Sequence, residues 1–303
     1  MRAETMGADN RASDALGLGD WVDVTSAADG RRYRIFMSRP IGPAPLGGYP
    51  LIVTTDANLL FATIAQQAAI RALAGDLEDA LVVGIGYPVA PADALRERMI
   101  DFARPRQPVA GRDGAASPLD MFIGAQLLPL IERCHPIDPA RRSLFGYSLG
   151  ALFALKFLLS WPEQFGCVAA ASPSIWCEEA GLKVLASRYR KRQSLEARVL
   201  ITVGDQEQSA EHNPIAPGMD ARLAADMIAA AAMIDKASAF AETLRHCVRD
   251  SRHVELVRFE NENHSSVLAA AIGRALSFMI PGERRAKIVQ TTAGGDRQGG
   301  FDG

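Results

Sequence analysis

The segment SLFGYSLGALFALKFLLS, residues 143–160, constrains the fold more than any other stretch of the chain. An apolar run of strand length turns at once into an apolar run of helix length, with Gly146-Tyr147-Ser148-Leu149-Gly150 at the junction. A strand and a helix that are apolar all round belong to a sheet covered on both faces, with the helix packed back upon it. At the junction, glycine two places before and two places after the serine leaves room for a sharp, strained bend that lifts the hydroxyl clear of the backbone. The helix behind that bend presents unpaired N–H groups and the positive end of its dipole, which suits a developing oxyanion. Ser148 is therefore the candidate nucleophile, and the Leu149 N–H the first candidate oxyanion donor.

The rest of the chain repeats the same alternation. Residues 21–25 and 33–38 flank the turn residues Ala28, Asp29 and Gly30 and read as an opening antiparallel hairpin. Short apolar runs follow at 51–55, 80–87, 143–147, 166–171, 199–203 and 254–259, each of the kind found in strands buried on both faces. Helical stretches fall at 59–74, 119–134, 149–161, 181–190, 221–249 and 267–279. Right-handed crossovers wind such an order into a doubly wound, mostly parallel sheet of about eight strands with helices on both faces, the α/β-hydrolase architecture. One domain over residues 16–282 accounts for it, with insertions at 88–117 and 206–222 where Pro, Gly and charge cluster. Residues 1–15 and 283–303 are polar or Gly-rich without apolar period and read as disordered tails.

Composition narrows the partners. The formal charge of −2 and pI near 6.2 leave no basic excess for phosphates or anionic lipid, so neither nucleic acid nor membrane is expected. No apolar run approaches the ~20 residues needed to cross a bilayer. Cys134, Cys167, Cys177 and Cys247 lie far apart with no zinc-type spacing, so neither a metal nor a disulfide framework is expected. The first residues lack a secretory apolar core, which points to the cytoplasm. The expected partner is a small molecule; monomer and homodimer both remain open.

A serine hydroxyl is a weak nucleophile at neutral pH and needs a histidine, itself oriented by a carboxylate. Of the five histidines, His264 stands in the polar segment after the last strand and before the last helix, where the order Ser, acid, His puts the base. His135, His246 and His253 read as surface or core residues, and His212, in the insertion after the fifth buried-type strand, as a residue of the pocket. The acid should follow that strand, where Asp205 and Glu207 both qualify. A Ser–His dyad without an acid is the third possibility.

Across residues 31–280 the chain resembles the esterase family that includes the enterochelin and salmochelin esterases and bacillar trilactone hydrolases, and more distantly S-formylglutathione hydrolase and the feruloyl esterases. The resemblance runs through LIVTTDANLLF, VVGIGYP, RERMIDFARP, FGYSLGALFALKFLLSWPEQFGCVAAASPSIW, ITVGDQEQ and ENENHSSV. It implies Ser148 as nucleophile, His264 as base and, through a G-x-x-acid pattern on Gly204, Glu207 in preference to Asp205. It also implies a second oxyanion donor from Thr55-Asp56-Ala57-Asn58. Relatives carry glycine where this chain has Ala57, so the donor is Ala57 or Asn58 according to the backbone angle there. Arg98 and Asp101 would brace the loop beside the site, and Tyr147, Trp176, Arg98 and His212 are the substrate-side residues. The implied chemistry is cofactor-free hydrolysis of a carboxylic ester or lactone through an acyl-enzyme, with a siderophore trilactone as first candidate substrate. A small-acyl carboxylesterase, an acyltransferase and a non-catalytic binding protein of the same fold are the alternatives.

Overall fold

The computed structural model of the chain describes residues 12–13, 19–104, 106–108, 115–191, 193–215 and 218–282. Its frame is a nine-stranded sheet built from β1 (Ala12–Ser13), β2 (Gly19–Thr25), β3 (Arg32–Ser38), β4 (Tyr49–Thr54), β5 (Leu81–Gly86), β8 (Ile137–Tyr147), β9 (Cys167–Ala171), β10 (Arg198–Gly204) and β11 (Val254–Phe259). The strand order is β1-β2-β3-β5-β4-β8-β9-β10-β11. The strands β5, β4, β8, β9, β10 and β11 run parallel to one another, while β1, β2 and β3 add an antiparallel edge beside β5. A separate two-stranded ribbon pairs β6 (Gln107–Pro108) with β7 (Ala115–Ala116).

The central stretches of the parallel strands are largely apolar because each face has its own core. In β4, Leu51 and Val53 point to one cluster and Ile52 to the other; in β10, Val199, Ile201 and Val203 oppose Leu200. The first face is covered by α3 (Pro118–Met121), α4 (Leu128–Cys134), α5 (Leu149–Ser160), α6 (Glu179–Arg190) and α8 (Met233–Arg245). The second is covered by α1 (Ala57–Leu73) and α9 (Val267–Met279). α2 (Pro91–Ala103) lies in the first insertion and packs Ala94 and Phe102 against the first cluster, and α7 (Ala221–Ala231) follows the second insertion. The expected doubly wound sheet with helices on both faces is therefore present.

Several expectations of detail are corrected. β1 lies inside the stretch read as an N-terminal tail, and the remainder of both tails lies outside the described residues. The first insertion carries a helix of its own, α2, opened by Pro91 in its first turn, where a missing N–H costs nothing. The helix expected over 119–134 is α-helical only at its ends, with a π-helical middle at Phe122–Leu127 just before Pro129, whose ring and missing N–H disturb the regular ladder. The single helix expected over 221–249 is two, α7 and α8, broken at Ala232, which takes left-handed angles of φ 44 and ψ 48.

Candidate active site

The ends of β4, β8, β9, β10 and β11 lie together at the carboxyl edge of the sheet, the place where parallel α/β sheets bind ligands. Ser148, Glu207 and His264 each follow one of these strands. Ser148 follows β8 with φ 57 and ψ −118, a region that ordinary residues occupy only under constraint. The constraint is the glycine pair. A Cβ on Gly146 would lie 2.2 Å from the Gly150 carbonyl oxygen, and one on Gly150 would lie 2.5 Å from both Asp56 Oδ2 and Thr55 Oγ1. The Ser148 N–H donates to the Ala171 carbonyl oxygen at 2.9 Å, tying the bend to the end of β9.

His264 follows β11, and its Nε2 is 3.1 Å from Ser148 Oγ. Its Nδ1 is 2.8 Å from Glu207 Oε2. Residues 148, 207 and 264, far apart in the chain, thus form one hydrogen-bonded line at the sheet edge. Glu207 is 2% exposed and spends its other oxygen on two donors, Ser172 Oγ at 2.6 Å and the Gly204 N–H at 2.6 Å. Gly204 has no room for a side chain, since a Cβ there would lie 2.1 Å from the Glu262 carbonyl oxygen. Asp205 is exposed and only its backbone is engaged, donating to Phe259 O at 2.9 Å. Of the two candidate acids, Glu207 reaches the imidazole and Asp205 does not.

The imidazole is held on its other sides as well. The Tyr147 ring stacks on His264 at 5.2 Å between centroids, and its hydroxyl donates to the His264 carbonyl oxygen. Burial pushes the Tyr147 phenol up, so it remains a donor. Asn213 Oδ1 accepts from the His264 N–H at 3.3 Å, while Asn213 Nδ2 donates to the carbonyls of Gln206 and Ser209, each at 2.8 Å. Tyr147, expected on the substrate side, instead positions the histidine. His212 is exposed: its Nδ1 lies 2.9 Å from Ser209 Oγ, and its carbonyl accepts from Asn263 Nδ2 at 2.8 Å. Its side chain faces a neighbouring groove shared with Glu211 and Asn263 rather than the space in front of Ser148.

The second helix start beside the nucleophile is that of α1. Asp56, its cap, takes the left-handed angles φ 57 and ψ 34, and Ala57 is the first helical residue. The strained position therefore falls one residue before the Gly-to-Ala difference, and Ala57 fits without cost. The N–H groups of Ala57 and Asn58, like that of Leu149 at the start of α5, have no carbonyl one turn earlier to bond. The Asn58 side chain is occupied elsewhere, donating to the Tyr87 carbonyl at 2.9 Å and accepting from the Tyr87 N–H at 2.8 Å, so only its backbone is available to an oxyanion.

Arg98 reaches from α2 into this corner, with Nε 2.6 Å and Nη2 3.1 Å from the two Asp56 oxygens and Nη2 3.3 Å from the Tyr147 carbonyl. Burial pushes the Asp56 carboxyl up and the Arg98 guanidinium opposes it. Arg98 thus meets the buried Asp56 and not Asp101, and it is not among the residues that line the cavity in front of Ser148. Asp101 serves a different knot: it lies 3.0 Å from Arg31 Nε and accepts from the Tyr87 hydroxyl at 2.9 Å.

In front of Ser148 opens a cavity of about 490 Å³, of the size that takes a drug-sized ligand. Ser148, Ser174, Glu207, Asn213 and His264 line its reactive end, while Trp176, Met227, Ile228, Ala231 and Met233 form an apolar wall with Lys236 at its side. Trp176 is 47% exposed, which places it as a wall and not as a core residue. In the sequence Ser172 and Ser174 stand only as part of the loop 172–176, which resembles the family's substrate-side loop, with no role of their own, and Asn213 was not singled out. Among the described residues no group of three or more His, Cys, Asp or Glu side chains is arranged to hold a metal ion. No helix among them is long and apolar enough to cross a membrane.

The family model described as "Putative esterase" matches residues 26–242. The chain is 31% identical over 274 residues to the ferri-bacillibactin esterase of Bacillus subtilis, covering 85% of this chain and 88% of that one. It is 30% identical over 272 residues to the siderophore triacetylfusarinine C esterase of Aspergillus fumigatus, covering 83% and 89%. Among solved structures, the siderophore hydrolase EstB of Aspergillus nidulans superposes with a TM-score of 0.71 at 24% identity, over 89% of this chain and 98% of the other.

Proposed function

The chain belongs to the Putative esterase family and is a carboxylic ester hydrolase; from that premise we propose that Ser148, His264 and Glu207 are its catalytic triad and that its substrate is the ester or lactone of a siderophore. The observation that carries the triad is the continuous line from Ser148 Oγ through both imidazole nitrogens to a buried carboxylate. Glu207 accepts a hydrogen bond from Nδ1–H, which leaves Nε2 as the basic nitrogen facing the serine. Attack forms the bond from Ser148 Oγ to the ester carbon as the carbonyl electron pair moves to oxygen and the serine proton passes to Nε2. The N–H of Leu149, with that of Ala57 or Asn58, receives the oxyanion. His264 then hands its proton to the departing alcohol. Water, deprotonated by the same nitrogen, releases the acid and restores Ser148.

The siderophore reading is supported by the activities for which the bacterial and fungal relatives are named and by a roomy, largely apolar cavity wall that suits a bulky substrate. The three proposed triad residues all lie within one chain. A reducing cytoplasm suits the thiols of buried Cys167 and Cys247 and exposed Cys177. Hydrolysis of ferric trilactone and ferric ester-linked hydroxamate siderophores is to be compared with that of p-nitrophenyl acetate. The proposal expects kcat/KM for at least one siderophore to exceed that for the acetate by about tenfold or more. The reverse order would leave a small-acyl carboxylesterase.

A further inference from the structure

Ser148 Oγ has two neighbours, not one. Besides His264 Nε2 it lies 3.1 Å from Ser174 Oγ. Ser174 is 4% exposed, belongs to the loop after β9 and lines the same cavity as the nucleophile. That loop is fixed from three directions: the Ser172 N–H donates to Thr202 O at 2.7 Å, Ser172 Oγ to Glu207 at 2.6 Å, and the Ser174 N–H to the Ser148 carbonyl at 3.2 Å. Ser172 takes a left-handed φ of 47 within it, a conformation that persists only where surrounding bonds enforce it. The Ser174 hydroxyl is therefore held in place by the same groups that hold the acid and the nucleophile.

Counting protons fixes its direction. With the Nδ1–H of His264 donating to Glu207, Nε2 accepts, so the one proton of Ser148 points to His264. The hydroxyl of Ser148 then has only lone pairs left for Ser174, and Ser174 must donate. Resting on the triad reading above, we propose that Ser174 is a further catalytic residue, a hydrogen-bond donor to the nucleophilic oxygen. A bond to a neutral hydroxyl is weak, and it strengthens as negative charge gathers on that oxygen. In acylation, charge gathers on Oγ as its proton leaves for Nε2 and the bond to carbon forms. In deacylation it gathers again as the bond from carbon to Oγ breaks, the electron pair returns to Oγ and His264 returns the proton. Between these steps Oγ is an ester oxygen and a poor acceptor, so the Ser174 hydroxyl is free to turn to substrate in the cavity it lines.

The test compares Ser174→Ala with Ser174→Cys, which fills the site with a weak donor. Two rates are read: kcat/KM for p-nitrophenyl acetate and the rate constant of labelling by a fluorophosphonate, which needs the nucleophile but no acyl pocket. Both rates are expected to fall about tenfold in both variants. The isosteric Cys variant separates the lost donor from lost packing. Rates within twofold of wild type in either folded variant, while Ser148→Ala is not labelled, overturn this inference alone. Labelling of Ser148→Ala at the wild-type rate overturns the triad and this inference together.

Discussion

The two sides of the cavity are built on opposite principles. On the strand side, Asp56, Ser148 and Ser172 all hold positive φ values; Ser148 and Ser172 are locked by hydrogen bonds between neighbouring strand ends, and Asp56 by Arg98 from α2. On the opposite side, α7 and α8 present Met227, Ile228, Ala231 and Met233, joined at Ala232 and tied down by few polar contacts, among them Lys236 to Glu179 at 2.7 Å and Gln208 to Asp235 at 3.0 Å. Met227 and Leu223 are 49% and 54% exposed. Chemistry needs donors and acceptors fixed to within fractions of an ångström, so strain is tolerated where the sheet over-determines it. Recognition of a bulky substrate needs apolar area that adapts, which unbranched methionine on a helix supplies.

If the strand side is the reactive one, changes there should be costly and changes opposite should be mild. The largest expected effect is on the acid. Glu207→Gln should lower kcat by about a thousandfold or more, since the imidazole loses the partner that fixes its tautomer, whereas Asp205→Asn should stay within about twofold. Equal losses in both, or less than tenfold for Glu207→Gln, would favour a dyad. Next comes Arg98→Met. It leaves the Asp56 carboxylate buried without its partner, and urea titration should show a loss of about 3 kcal/mol. A change below about 1 kcal/mol would show that the pair does not brace the two helix starts. Smallest is Ala232→Gly on the opposite wall. Glycine relieves the left-handed position, so stability should rise by up to about 1 kcal/mol with kcat on a small ester unchanged within twofold.

Much of the strand side was legible in the sequence. Residues buried on both faces of a sheet must be apolar throughout, so the parallel strands stand out. The glycines at 146, 150 and 204 mark places where no Cβ fits. The order of Ser148, Glu207 and His264 follows from the winding of the sheet. What was not legible depends on contacts between distant segments. Nothing local says that Arg98 meets Asp56, 42 residues away, and not its near neighbour Asp101. The break at Ala232 was hidden because alanine is the best helix former and no Gly or Pro interrupts residues 221–249. The helix α2 was masked by the Pro and charge that made its stretch read as an insertion, although Pro91 in its first turn was a usable signal. Ser172 and Ser174 are small polar residues whose importance comes only from facing Glu207 and Ser148.

The geometry converges on one oxygen atom. Treating the folded protein with a fluorophosphonate and mapping the adduct by peptide mass spectrometry asks directly whether that oxygen reacts. A single stoichiometric adduct on Ser148 is expected, formed at a greatly reduced rate in His264→Ala. An adduct on another residue, or equally fast modification of Ser148 without His264, would contradict the proposed triad.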